Sequence, residues 1–494
     1  MPDMSVQASV SGRICRASAN RNRRRKKCTI NTFPVCGDCE RLNLECVREP
    51  IRQLLPVTQN LTPEPSSPWG GAHDYDSAEL ARRRSAMTFY VTTLSQLLTV
   101  SDKHNCFLSG TPTHAGILLE VLCPQTNRPA FLPMALESPA LANALIAWSA
   151  GHLASREISY RSTALEARSK SLRSLALSLS SSGAAQGEIN SATSLILMTS
   201  EVCLGFDTNW YRRLIGVKDI ITSVQSFVSA NESQILGVNA LKQTPEGHWI
   251  LRNFAYHDII GSVTLGTKPL IQSQYLQGLT DVVDTYLGVA SGILPFISEI
   301  SCMEELDIVC GCITLHDENE TMPNFLMQIE QGLKAWRCSS KTDPALTSLA
   351  YVYRSSSLIY LYRRTIRALI RHPVLPELQH QSFILELHRK IEGEVSTLSW
   401  YVESISYHED VESALLFPLF IAGCETKDNS QMEIIRLRLE LMHEKRHFKN
   451  IQQALNVLRE IWEMRQIQRE GVLDNCDVDW QGVVNSQEVV LLLT

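Results

Sequence analysis

From Ser77 onward, apolar residues recur every three or four positions with charged residues between them, the spacing of one face of an α-helix. The pattern predicts helices over residues 78–100, 140–154, 158–179, 191–203, 210–224, 248–264, 324–336, 344–370, 382–402, 431–447 and 448–468. Residues 140–154 (ALANALIAWSAGHLA) are apolar nearly all round and follow a Ser138-Pro139 start signal, so this helix is expected at the centre of the fold. In 158–179, Ile158, Leu165, Leu172, Leu175 and Leu179 are expected to face the core, with Arg161, Glu166, Arg168, Lys170 and Arg173 toward water. Alternating, strand-like runs are scarce, and neither a fixed-period repeat nor a heptad array is visible. The predicted fold class is mainly α: a large all-helical domain over residues 77–494, preceded by a small basic module.

Residues 49–76 break the helical pattern. They hold Pro50, Pro56, Pro63, Pro65 and Pro68 with Gly70 and Gly71, and read as a linker. Ahead of them, residues 12–48 carry ten Lys/Arg against three Asp/Glu, a net of +7, whereas the whole chain is −6 and the remainder therefore −13. A basic head on an acidic body suggests that the head meets a polyanion. With 44% hydrophobic and 20% charged residues over 494 positions, most of the chain should fold. No run of about 20 uncharged apolar residues suggests a membrane span. The first residues, MPDMSVQASVSGR, lack the apolar core of a secretory signal, so an intracellular, reducing compartment is expected. There, clustered cysteines read as metal ligands before disulfides.

Five of the 14 cysteines fall within the first 46 residues, with the spacing Cys28-x7-Cys36-x2-Cys39-x6-Cys46. Four thiolates in one short segment can close tetrahedrally on Zn(II), and coordination would order a loop too small to have a core. The C-x2-C turn of Cys36 and Cys39 is the strongest local signal, Gly37 permitting its tight bend. Cys28, Cys36, Cys39 and Cys46 are thus the candidate ligands of one Zn(II), with Cys15 as an additional candidate. Arg23, Arg24, Arg25, Lys26 and Lys27 directly precede Cys28. Metal binding would hold these five cations toward the phosphates and guanine edges of double-stranded DNA, and the same run suits nuclear import.

The runs RRRKKC, FPVCGDC and RLNLEC resemble the back two thirds of the fungal six-cysteine binuclear zinc cluster, whose pattern is C-x2-C-x6-C-x5–12-C-x2-C-x6–8-C. Cys28, Cys36, Cys39 and Cys46 fall on its third to sixth cysteines. The places of the first two hold Ser18 and Arg21, and Cys15 lies three residues before the first. The first and fourth cysteines bridge two zincs in that family, so the departure implies a one-zinc head. The resemblance implies base contacts to CGG-type half-sites from Arg24 and Arg25, presented on a helix that begins at the first cysteine pair. The departures are confined to about ten residues between Ser11 and Asn22, which favours a misplaced splice junction or local replacement over general decay. Further on, residues 138–155, 216–221 (GVKDII), 415–426 (LLFPLFIAGCET) and 477–484 (DVDWQGVV) resemble the all-helical fungal-specific transcription factor domain that follows such clusters. Together these imply a nuclear, zinc-dependent, non-enzymatic transcriptional regulator. Its partners would be DNA and the transcription machinery or co-regulators, and any homodimer would form through the helical domain. The alternative is a helical interaction protein whose head no longer binds DNA sequence-specifically.

Other signals weigh less. His443-Glu444-Lys445-Arg446-His447 matches the HExxH pattern of zinc peptidases. On a helical wheel centred on Leu441, with Ile434, Leu437 and Phe448 as the inner face, both histidines turn toward solvent. Cys302, Cys310, Cys312 and His316 cluster in sequence, but Cys310 and Cys312 would project about 200° apart on a helix, so small buried hydrophobes are expected. His152 and His257 sit in apolar runs as core histidines. No phosphate-binding, dinucleotide or nucleophile-elbow motif occurs, and no catalytic residue is assigned.

Overall fold

The computed structural model describes residues 77–105, 131–179, 184–205, 209–228, 233–313, 324–339, 342–373, 377–407, 409–469, 478–486 and 491–494, with three short segments at 14–17, 25–27 and 46–48. The chain divides into two units, Met1–Pro65 and Ser66–Thr494. In the first, strand β1 (Ile14–Ala17) pairs antiparallel with both β2 (Arg25–Lys27) and β3 (Cys46–Arg48), in the order β2-β1-β3.

The second unit is helical. It opens with α1 (Ser77–Phe89), which a π-helical turn over Tyr90–Leu94 and a last turn over Ser95–Leu97 carry on. Next come α2 (Phe131–Glu137), α3 (Pro139–Leu153), α4 (Tyr160–Ser178), α5 (Ala184–Leu204) and α6 (Trp210–Ser223). A hairpin of β4 (Gln225–Val228) and β5 (Ser233–Leu236) leads to α7 (Val238–Leu241) and α8 (Pro245–Leu265). After these follow α9 (Leu294–Cys302), α10 (Glu305–Ile313), α11 (Asn324–Ala335), α12 (Pro344–Arg371) and α13 (Glu377–Glu403). The unit closes with α14 (Leu416–Glu425), α15 (Asn429–Arg446), α16 (Lys449–Arg469) and α17 (Trp480–Ser486). The mainly α reading is thus correct; the β4–β5 hairpin, four residues a strand, is too short for alternation to announce.

The predicted Ser138-Pro139 start is borne out, and the helix expected from residue 248 begins three residues earlier, at Pro245. Ser138 caps α3 by accepting a hydrogen bond from the Leu141 amide at 3.3 Å, with Pro139 in the first turn. Thr244 caps α8 through the Gly247 amide at 3.0 Å, and Gly266, at φ +65°, closes it. Gly247 is required there, because a Cβ would lie 1.9 Å from the Leu241 carbonyl oxygen. Helices α3, α8 and α14 form the centre: all ten residues of α14 are buried, and α3 is buried almost all round. Helix α3 packs along α4 and α5, and α12 along α13 and α14. Pro418 is accommodated in α14 because it lies in the first turn, where amides have no intrahelical acceptor.

Two helix faces differ from expectation. On α4 the buried residues are Thr163, Ala164, Ala167, Ser171 and Leu175, whereas Leu165 is 54% exposed, as are Ile158 just before the helix at 71% and Leu179 just after it. Small side chains let α3 and α4 approach closely enough for Ser171 Oγ to donate to the Ala140 carbonyl at 2.7 Å. On α15 the buried stripe is Ile435, Arg438, Leu439, Met442 and Arg446, with Leu437 and Leu441 exposed. Arg438 lies inside because it pairs with the buried Glu412 at 3.1 Å and donates to the Ile405 carbonyl at 2.6 Å. Cys310 is exposed and Cys302 half-buried, so neither is the fully buried hydrophobe expected; His316 lies outside the described residues.

Candidate functional site

In the head, β1 is the central strand, and its register sets Cys15 opposite both Lys26 and Arg48, Arg16 opposite Arg25 and Val47, and Ala17 opposite Cys46. The candidate ligands Cys15 and Cys46 therefore stand on neighbouring strands, two register steps apart. Arg25, Lys26 and Lys27 run along the other side of β1, as a strand where the resemblance implied a helix. Cys28, Cys36, Cys39, Arg23 and Arg24 lie outside the described residues. Four thiols are a donor set of the chemistry that Zn(II) takes in structural sites.

In the body, the HExxH segment does not form one helical face. Helix α15 stops at Arg446, and His447 caps it in the left-handed region at φ +55°. His443 Nδ1 is engaged by the Phe448 carbonyl at 3.0 Å. Burial, together with Arg156, His443 and Lys449 nearby, lowers the pKa of His447, surroundings that oppose a metal cation. Among the described residues, no group of three or more His, Cys, Asp and Glu is placed to hold a metal ion. Both core histidines are buried as expected. His152 stacks on Phe89 at 5.4 Å between centroids, and burial first, then His447 and Arg156, lowers its pKa to about 4.

Beside the end of α15 lies an interior cavity of about 40 Å³. Leucine, methionine and aromatic side chains make much of its wall, and its polar residues include Thr199, Tyr256, His257, Tyr286, Arg446 and Asn450. His257 shares hydrogen bonds with Thr199 Oγ1 at 3.1 Å and Thr494 Oγ1 at 2.7 Å, and burial lowers its pKa to about 3, so it is neutral. Asn450 Nδ2 donates to the Thr494 carbonyl oxygen at 2.8 Å. Arg446 is 2% exposed, and burial holds its pKa below the usual arginine value against the pull of Glu412 and Asp410. Sequence reasoning assigned Arg446 no role. The available signal was its position four residues after Met442 on the apolar stripe of α15.

Residues 85–493 match the fungal specific transcription factor domain, and the chain belongs to that family of transcription factors. It is similar to transcriptional activator protein UGA3 of Saccharomyces cerevisiae (strain ATCC 204508 / S288c), with 25% identity over 380 residues, 67% of this chain and 68% of the relative. No solved structure matches the chain. Among the described residues, no helix is long and apolar enough to cross a membrane.

Proposed function

We propose that the protein is a nuclear, zinc-dependent, DNA-binding regulator of transcription and not an enzyme. Its N-terminal head would bind one Zn(II) through Cys28, Cys36, Cys39 and Cys46, and DNA through Arg23, Arg24, Arg25, Lys26 and Lys27. The observation that carries this reading is the Cys28-x7-Cys36-x2-Cys39-x6-Cys46 spacing directly after five consecutive cations, ahead of a domain of a transcription-factor family. The relative's designation as a transcriptional activator agrees with it. The helical body would then regulate, recruit partners from the transcription machinery, or dimerise.

The test is binding of the full chain to duplexes with and without CGG half-sites across salt concentrations. A working head gives a preference for CGG over scrambled sequence and a steep salt slope, since each phosphate contact contributes ~0.9 to it. Replacing Arg23 through Lys27 with alanine should weaken binding to all sequences and flatten that slope by several units. A second reading, a co-regulator that acts through protein partners, is favoured by Ser18 and Arg21 standing where the zinc cluster has its first two cysteines. Salt-dependent binding with no CGG preference would select it.

A further inference from the structure

Helix α4 carries a second apolar stripe on the side turned away from the core. Ile158, Leu165 and Leu179 are exposed, and Leu172 is half-buried between Leu165 and Leu179. Both ends keep helical backbone, with the Arg161 amide donating to the Ile158 carbonyl at 3.0 Å and the Leu179 amide to the Leu175 carbonyl at 3.0 Å. At about 100° per residue, the other three side chains lie within about 40° of Leu165 around the helix. Exposed Ser162, Ser169 and Ala176 stand between them, so large and small residues alternate in steps of four and three. Steps averaging about 3.5 residues keep a seam turned toward a second helix, and the small residues leave holes for that helix's side chains. The seam is flanked by cations. Arg161 lies on one edge and Arg173 on the other, and neither makes an ion pair among the described residues, whereas Glu166 and Arg168 are matched by Lys170 and Glu201.

We infer that the outer face of α4 docks an acidic amphipathic helix of a partner protein, with leucine-type residues every three or four positions and carboxylates beside them. Its apolar side chains enter over Ser162, Ser169 and Ala176, and its carboxylates pair with Arg161 and Arg173. The strip is ~32 Å long and ~10 Å wide, or ~300 Å², against ~800 Å² per partner in a stable interface. A second copy of this chain would therefore find too little area on it, and would set arginine against arginine. An anionic membrane would meet the acidic body at large, whereas a single helix meets only this face. The small area makes the complex a transient one. This assignment names the partner chemistry for the recruiting role proposed for the helical body, and rests on that role.

The experiment is fluorescence anisotropy of a labelled synthetic helix titrated with the full chain. The probe has about 21 residues, with leucine at the first and fourth of every seven positions and glutamate beside them. Its lysine counterpart and a scrambled peptide run in parallel. The glutamate peptide should bind at least tenfold more tightly than either, and its affinity should fall as salt rises. Leu165→Ala, at an exposed position where alanine suits a helix, should weaken binding about tenfold. Arg161→Glu combined with Arg173→Glu should reverse the preference, the lysine peptide then binding better. No binding of the glutamate peptide, equal binding of the glutamate and lysine peptides, or indifference to Leu165→Ala overturns the assignment. So does a wild-type dimer in sedimentation equilibrium that Leu165→Ala dissociates, which gives the face to a second copy. Co-sedimentation with phosphatidylserine vesicles that Leu165→Ala abolishes gives it to a membrane and overturns the assignment equally. The titration contains no DNA, so failure of this face and failure of the head read out separately.

Discussion

The pair Arg363–Glu425 joins α12 to the central α14 and lies almost wholly out of water, with 7% and 5% of each residue exposed. Arg363 Nε donates to Glu425 Oε1 at 2.7 Å, and Nη2 donates to Oε2, a two-pronged contact. Glu425→Leu leaves a guanidinium in the interior without its counter-charge, at a cost of about 3–5 kcal/mol; Arg363→Met strands the carboxylate at a similar cost. Either loss is a large part of a net stability of about 5–15 kcal/mol. The double variant has no stranded charge and should be close to wild type or better, giving a coupling of at least about 3 kcal/mol. Urea is the denaturant of choice, because it leaves ionic strength unchanged. Helicity and tryptophan fluorescence should be followed on the full chain for all four proteins, with midpoints compared at equal slope. The reasoning fails if each single variant costs under about 1 kcal/mol, since the pair would then be solvated, or if the double variant is as unstable as the sum of the singles.

Gly423→Ala should cost about 1–3 kcal/mol, because the added Cβ would lie 2.9 Å from both terminal methyls of Leu458; combined with Leu458→Ala, itself destabilising, the total should fall short of the sum of the two single costs, measured by the same melts. His152 is held neutral in the folded state and titrates near its ordinary value when unfolded. Its contribution is therefore present above about pH 6.5, falls as pH drops toward 4, and is constant below that, for a total of up to about 3 kcal/mol. His152→Phe should flatten the stability–pH curve over that window while keeping the stack on Phe89. Burial raises the pKa of Asp258 to about 6, which acts in the opposite sense, stability falling as pH rises from about 4 to 6, so the difference between variant and wild type is the quantity to read. Elemental analysis of the full chain should find one zinc, and chelation should release it without shifting the main helical melt, as expected if the helical unit needs no metal to fold.

The helices were legible in the sequence because their signals are local. Ser138-Pro139 announces a start that needs only the following turn, and residues 140–154, apolar in every direction, could sit nowhere but the interior. The zinc and DNA candidates likewise follow from spacing along a short stretch of chain. Which face of a helix turns inward is a different kind of fact, because it depends on the neighbour. Ala164, Ala167 and Ser171 are buried on α4 while Leu165 stays exposed, because small side chains let α3 come close. Arg438 entered the core because Glu412, from a distant segment, was there to meet it. Arg446 came inside with it on the same stripe of α15, where the Leu97 carbonyl accepts from it and the carboxylates of Glu412 and Asp410 act on its charge. Hydrophobic periodicity reports a residue's own cost of burial, whereas a buried charge is settled by the charges and carbonyls that tertiary packing brings to it, and those are spread over the whole chain.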